Sequence, residues 1–457
     1  MTRPSPRTSA PAALLISAYA LLLLFALATI PLRIPEILQM AASRGFESVS
    51  MPGWIALTPE SAPLNYFVQL PFILVLGYSR WGVRLDSLLF AIGSCYLFVR
   101  LAKQIRLRDP WIALLLFMLL PFHLQLAWAG LPAEQALFFL LAATECFLRL
   151  TEKPLLITAA LYALFLTLCI YTDRYAFLPA IGYLLFLFRF VQGAEQRRAM
   201  WLALGATVLP PLLFLPYYLW AKPQVSPYWP SQPSSGAPDY IESLRLLAGN
   251  EWIGIALSAL LVAALIASCW STFRAATPIS KRTSLFCLFG GVISTVAVLL
   301  VTDFWFGESL TAHQILPAVP ATVLLTIAAI QRPILRPLAA AVLILLAAAG
   351  SSFPILDRSE DVQTETHVVE QQLGPNSCVV FVSERFAKIL FEIFAPDLKG
   401  RECLNFFHQR VVLAVHPYVG SDHEENAESF FRGLSFVETK RIPEGRGQVV
   451  VMQQAGP

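Results

Sequence analysis

Long apolar runs separated by short polar turns fill the first three quarters of the chain. Apolar stretches of roughly 18 residues or more mark helices that cross a bilayer. Eleven are predicted, at about 11–31, 82–103, 110–127, 131–150, 154–171, 174–191, 200–220, 251–271, 282–303, 312–331 and 334–351. The segment 64–78, LNYFVQLPFILVLGY, is apolar but short and holds a proline, which predicts an interfacial or re-entrant helix. Beyond residue 351 the pattern changes. CVVFV (378–382), VVLAV (411–415) and QVVVMQQ (448–454) read as strands, and SERFAKILFEIF (383–394) and DHEENAESFFRGL (422–434) as helices. The fold predicted is an α-helical polytopic membrane domain over 1–351, with about eleven spans, followed by a small α/β domain over 352–457.

Composition supports the membrane reading. The chain is 56% hydrophobic and 14% charged, where soluble proteins carry about 25% charged residues. Mean hydropathy is +0.62. The net charge of +3 is unevenly spread: residues 1–351 carry +8 and residues 352–457 carry −5. An acidic tail argues against a nucleic-acid partner. With the N-terminus inside, 16 Lys and Arg fall on the cytoplasmic side and 7 on the outer side before residue 352. The positive-inside rule then predicts a multi-pass protein of the cytoplasmic (inner) membrane, with the N-terminus cytoplasmic and the α/β domain extracytoplasmic. If 64–78 crossed fully, the bias would reverse. Ala26-Leu27-Ala28 resembles a signal cleavage site, but an apolar run of about 20 residues reads as an uncleaved anchor.

Of seven cysteines, Cys95, Cys146, Cys169, Cys269 and Cys287 lie in or beside apolar runs and read as small hydrophobes. Cys378 and Cys403 are the two in the tail: a disulfide if the tail is exported, or two buried thiols. No metal motif is present, and His367, His408, His416 and His423 read as surface histidines. Two outer loops stand out. Loop 32–81 carries Glu36, Glu47 and Glu60, and loop 221–250 holds five prolines within 223–238. The second reads as an extended flap, where Tyr228 and Trp229 either stack on a sugar or sit at the membrane interface.

Four segments in this order resemble the polytopic glycosyltransferases of the GT-C fold, which include dolichyl- and undecaprenyl-phosphate sugar transferases. They are 61–105, with Arg84-Leu85-Asp86-Ser87; 119–150, with Pro121 and Pro132; 169–185; and 312–329. The resemblance implies inverting sugar transfer from a polyprenyl-phosphate donor to a lipid, glycan or protein acceptor at the membrane's outer face. Such a displacement needs a carboxylate for the acceptor's proton, and positive charge or a divalent metal for the leaving phosphate. The family keeps its base just after the first helix, commonly as Asp-Glu. Here Pro35-Glu36 stands there, with Glu60 as the second choice. Arg80, Arg84, Arg174, His313 and Gln314 are the candidates for the donor phosphate and lipid. His313 opens a helix whose N-terminus would favour an anion. Asp173, His123, Glu134 and Trp229 are candidates for the cavity wall.

Each has a plainer reading. Glu36 is a solvated loop acid, Asp173 and Arg174 a local ion pair, Arg80 and Arg84 headgroup anchors, and His123 and Glu134 interior residues. The chain also departs from the family pattern. Ala129 and Leu131 stand where a glutamate and an arginine are expected, and His313-Gln314 where an arginine opens the last motif. A catalytically silent relative that binds lipid-linked sugar or scaffolds an envelope complex is therefore the first alternative. A transporter is the second; it predicts paired repeats and polar mid-span residues.

Overall fold

The computed structural model describes residues 10–30, 62–189, 193–225, 251–274, 279–306, 312–330, 335–356, 362–382, 410–415, 421–444 and 447–454. It adds residues 32, 36, 39, 40, 43, 401 and 403. The chain divides into two compact units. One gathers Met1–Leu27, Pro59–Phe72 and Arg84–Leu356; the other gathers Ala28–Thr58, Ile73–Val83 and Asp357–Pro457.

Helices in chain order are α1 (Ala10–Thr29), α2 (Leu64–Leu76), α3 (Arg80–Gln104), α4 (Pro110–Leu119), α5 (Pro121–Trp128), α6 (Pro132–Glu152), α7 (Leu156–Ile170), α8 (Leu178–Arg189), α9 (Ala194–Val225), α10 (Glu251–Arg274) and α11 (Ile279–Phe306). A 3₁₀ turn over Ala312–Ala318 leads into α12 (Val319–Ala329), and α13 (Leu335–Leu356) follows. Every apolar segment read from the sequence holds helix among its described residues, although the one at 174–191 begins as a turn and becomes helical at Leu178. Among the described residues, α1, α3, α9 and α11 are long and apolar enough to cross a membrane alone, and α4 and α5 do so as one bent pair. Shorter apolar helices account for α2, α7, α8, α10, α12 and α13. Apolar side chains such as Leu14, Leu156, Leu212 and Ile266 face outward, as lipid-facing residues must. Close helix contact follows small residues: a β-carbon on Gly182 of α8 would strike the backbone of Gly290 on α11.

Three predicted spans differ in detail. The run at 110–127 is broken, with α4 and α5 meeting at 67°. The cause is Pro121, which drives the preceding Leu120 to ψ 121. The run at 312–331 opens as a 3₁₀ turn containing Pro317, and α-helix starts at Val319 with a proline in its first turn. The helix at 200–220 reaches Val225 and takes in Pro223, which the proline count had given to the loop. A proline removes one ladder bond, and membrane helices tolerate that where neighbours re-satisfy the backbone.

The tail carries a helix, α14 (Val362–Gln372), and a four-stranded sheet: β1 (Ser377–Val382), β2 (Arg410–Val415), β3 (Phe436–Glu444) and β4 (Gly447–Gln454). Helix α15 (Ser421–Gly433) lies between β2 and β3 in sequence. Strand order is β1-β2-β4-β3, with β1 parallel to β2 and the other pairs antiparallel. Alternate residues supply two cores. Cys378, Val411, Leu413, Val450 and Met452 pack with Phe431 and Phe436, while Val379, Val412, Ala414 and Val449 pack with Val369 of α14. Both faces are covered, so β1, β2 and β4 read as continuous apolar runs. Cys378 and Cys403 form a disulfide. The predicted helix at 383–394 lies outside the described residues.

Candidate functional site

The sequence LPFHLQLAWAGLP (120–132) builds the centre of the first unit. Each of its two prolines pushes the residue before it into extended backbone and opens a new helix. Leu120 precedes Pro121 of α5, and Leu131, at φ −111 and ψ 156, precedes Pro132 of α6. His123 thereby falls in the first turn of α5, and Glu134 in the first turn of α6. The two folds of the chain bring His123 Nε2 to 3.5 Å from Glu134 Oε1, with both side chains at 0% exposure. On the other ring nitrogen, Tyr19 of α1 approaches His123 Nδ1 at 3.3 Å. With the tyrosine hydroxyl donating to Nδ1, the imidazole turns an Nε2–H toward the carboxylate. Phe117 lies tilted against the ring, with centroids 3.9 Å apart, and Phe98 lies parallel to Phe117 at 4.4 Å.

Further polar groups converge on the turn between α5 and α6. Gln69 of α2 donates to the Gly130 carbonyl at 3.3 Å, and Ser87 of α3 donates to the Leu131 carbonyl at 3.4 Å. Asn65, Arg84, Asp86 and Gln135 are also buried. The side-chain amide atoms of Asn65 and Gln135 and both Glu134 oxygens have no protein hydrogen-bond partner among the described residues. Buried polar atoms normally find partners, so this interior is chemically unusual for a membrane bundle. His123 and Glu134 are buried as well, and Arg84 is fully buried, which overturns its reading as a headgroup anchor. Asn65 and Gln135 were not singled out from the sequence, and Asp86 was named only within the Arg84–Ser87 signature. Their signal was polar residues set within apolar helices.

The turn after α7 holds Asp173 and Arg174. Asp173 Oδ1 accepts from the Tyr175 amide at 2.8 Å, an Asx turn that shapes the connection. Arg174 donates to the Tyr175 hydroxyl at 2.9 Å and lies over its ring, 4.8 Å from the centroid. Tyr171 donates to the Leu213 carbonyl of α9 at 2.8 Å and packs edge-on against Phe214. Gln314 is buried within the 3₁₀ turn. That turn includes residue 313, so the α-helical N-terminus expected at His313 lies at Val319 instead, six residues on. The prolines at 317 and 320 set that delay.

The second unit holds Glu36 and Arg80. Glu36 is helical and 1% exposed, so the solvated loop acid is overturned. Gln39, Met40 and Ser43 are buried with it at the i+3, i+4 and i+7 spacing of one helix face. Ser43 closes a bond to the Gln39 carbonyl at 3.0 Å. Arg80 opens α3 after a corner in which Gly77 takes φ 70, a conformation that favours glycine. Ser79 braces that corner through the Leu76 carbonyl and the Gly82 amide. Arg80 Nη1 donates to the Ala28 carbonyl at 3.4 Å. Glu60 and Trp229 lie outside the described residues. Among those described, no group of three or more His, Cys, Asp or Glu side chains is arranged to hold a metal.

No protein-family model and no curated protein matches the sequence. Solved structures do match. The apo state of ArnT from Cupriavidus metallidurans is similar at 13% identity and TM-score 0.60, over 96% of this chain and 97% of that one. ArnT has also been solved bound to undecaprenyl phosphate; that structure aligns at 14% identity and TM-score 0.47, over 96% and 97% of the two chains. The arabinofuranosyltransferase AftD from Mycobacteria is similar at 16% identity and TM-score 0.50, over 100% of this chain and 40% of that one. Likeness at such identities is likeness of fold, and it runs nearly end to end. The chain is a multi-pass membrane protein with the GT-C fold of the polytopic glycosyltransferases.

Proposed function

We propose that this protein is an inverting glycosyltransferase that uses a polyprenyl-phosphate sugar at the outer face of the cytoplasmic membrane. Glu36 is the base, and Arg80 belongs to the phosphate side. The acceptor's hydroxyl oxygen attacks the anomeric carbon as its proton passes to Glu36. The bond from that carbon to the donor phosphate breaks, and its electron pair leaves with the polyprenyl phosphate. Attack from the face opposite the leaving group inverts the anomeric centre.

The observation that carries this reading is the burial of Glu36 on a helix face just after the first membrane helix, where the GT-C resemblance expects a base. An acid kept from water needs a structural or chemical reason. The fold shared with ArnT, a protein solved with undecaprenyl phosphate, supports the donor class. The disulfide and the basic-residue bias support an extracytoplasmic tail and a cytoplasmic N-terminus. Arg84, Arg174, His313 and Gln314 remain separate candidates for donor contact, and the acceptor is a lipid, glycan or protein.

One observation favours a second reading. The turn that the family charges is neutral here at Ala129 and Leu131, and its carbonyls are bonded by Gln69 and Ser87. That suits a silent relative which binds lipid-linked sugar without transferring it. A panel of labelled polyprenyl-phosphate sugars, offered to membranes containing the protein, separates the two. Transfer from any donor supports the enzyme. Saturable donor binding without transfer supports the silent relative.

A further inference from the structure

The ends of α3 and α6 that the charge bias assigns to the cytoplasm hold a second charged cluster, remote in sequence from the outer loops. Arg100 of α3 lies 2.6 Å from Glu145 Oε1 of α6, and Arg149 of α6 pairs with that same oxygen. The glutamate side chain is 9% exposed, while the arginines are 38% and 53% exposed. Two guanidinium groups thus share one carboxylate oxygen. The trio carries one net positive charge, which attracts a further anion. Each guanidinium has five donors in a planar fork, and Glu145 uses few of them.

The surroundings favour a particular anion. Arg100 lies over the exposed Tyr96 ring, 5.6 Å from its centroid, which holds the guanidinium at the helix surface. Lys103 is exposed in the last turn of α3, Arg106 and Arg108 on the turn that follows it, and Lys153 where α6 ends. Arg106 takes φ 57 at the end of α3, a position that usually belongs to glycine. The Arg106 amide bonds to Lys103 and the Leu107 amide to Ala102, closing the helix there. After Lys153 and Pro154 come Leu155, Leu156 and Ile157, exposed by 53%, 70% and 66%. Basic heads next to an acyl-facing apolar strip match a phospholipid, with its phosphate on the arginines and its chains along the strip.

We infer that Arg100 and Arg149, held together by Glu145, form a binding site for the phosphate of an anionic phospholipid headgroup. The inference is independent of the transfer activity and of the outer-face residues.

Native mass spectrometry of the detergent-solubilised full chain tests it, with phosphatidylglycerol, phosphatidylcholine or inorganic phosphate titrated in turn. Wild type is expected to retain phosphatidylglycerol preferentially. The double variant Arg100→Gln/Arg149→Gln should lose affinity by roughly fivefold per arginine, from about 1 kcal/mol per basic side chain at an anionic surface. Glu145→Gln removes the carboxylate that holds the two guanidinium groups together and should weaken phosphatidylglycerol binding. If the double variant fails to fold, the Glu145→Gln result decides alone. Three results would overturn the inference: unchanged phosphatidylglycerol binding in a folded double variant, undiminished binding in Glu145→Gln, or displacement of the lipid by equimolar inorganic phosphate.

Discussion

His123 Nε2 stands 3.5 Å from Glu134 Oε1 in the interior of the membrane bundle, with neither side chain reaching the surface. That separation lies within ion-pair range but is long for a hydrogen bond. Removing one partner leaves the other a buried polar group without its contact, at about 1–3 kcal/mol. Glu134→Leu and His123→Phe should each lower the midpoint of thermal unfolding in detergent. The double variant should cost clearly less than the two single losses added together. Additive losses would mean that the two side chains do not interact.

Pro121 sets the bend that delivers His123. Alanine there lets α4 and α5 approach one continuous helix and carries His123 away from Glu134. In a Pro121→Ala background the coupling between His123→Phe and Glu134→Leu is expected to fall toward zero. Coupling of unchanged size would show that the bend is not what places the histidine.

The disulfide closes a loop with a sequence separation of 25. Loop entropy of that size corresponds to about 3–4 kcal/mol in the chain-entropy model. Cys378→Ser/Cys403→Ser should lower the unfolding midpoint of the tail in the full chain, as followed by proteolysis of the tail on heating. Wild type treated with reductant should match it. An unchanged midpoint in both would remove the bond from the tail's stability.

In the tail, Glu438 accepts hydrogen bonds at 2.9 Å from Arg441 Nε and Nη2, while Arg441 also reaches Glu428 and Arg432 approaches Glu438. The Arg441 hydrogen bonds hold the Glu438 carboxyl below its ordinary value of 4.5. A lowered folded-state value means that the stabilisation is complete above pH 4.5 and is lost as pH falls through the folded value. Tail stability should therefore decline on acidification below about pH 4.5 in wild type, and less steeply in Glu438→Gln. Parallel pH profiles for the two proteins would contradict this.

How far the fold was legible depends on where polarity fell. Apolar runs announced the described helices α1 to α13, since in lipid the backbone has few alternatives to helix. They did not announce the break at Pro121. A proline inside an apolar run reads equally as a tolerated kink or a corner, and only packing chooses. Strands β1, β2 and β4 were visible because both faces are buried. Strand β3, FVETKRIPE, was not, because it is an edge with polar alternation and a proline. Helix α14, VQTETHVVEQQ, hid for a similar reason: few of its residues are apolar. Among candidate site residues, position after the first helix flagged Glu36 but could not reveal its burial. His123 and Glu134 were visible as ionisable residues beside prolines. Their meeting, and the approach of Tyr19 from a helix about a hundred residues away in sequence, is a product of packing alone.

The most direct test of the transferase reading is the rate of sugar transfer from the best polyprenyl-phosphate donor in membranes containing equal amounts of wild type, Glu36→Gln and Glu36→Asp. Loss of a positioned base predicts a fall of about 10²–10⁴-fold for Glu36→Gln, with part of the rate kept by Glu36→Asp. Transfer by Glu36→Gln at the wild-type rate would contradict the assignment of Glu36 as the base.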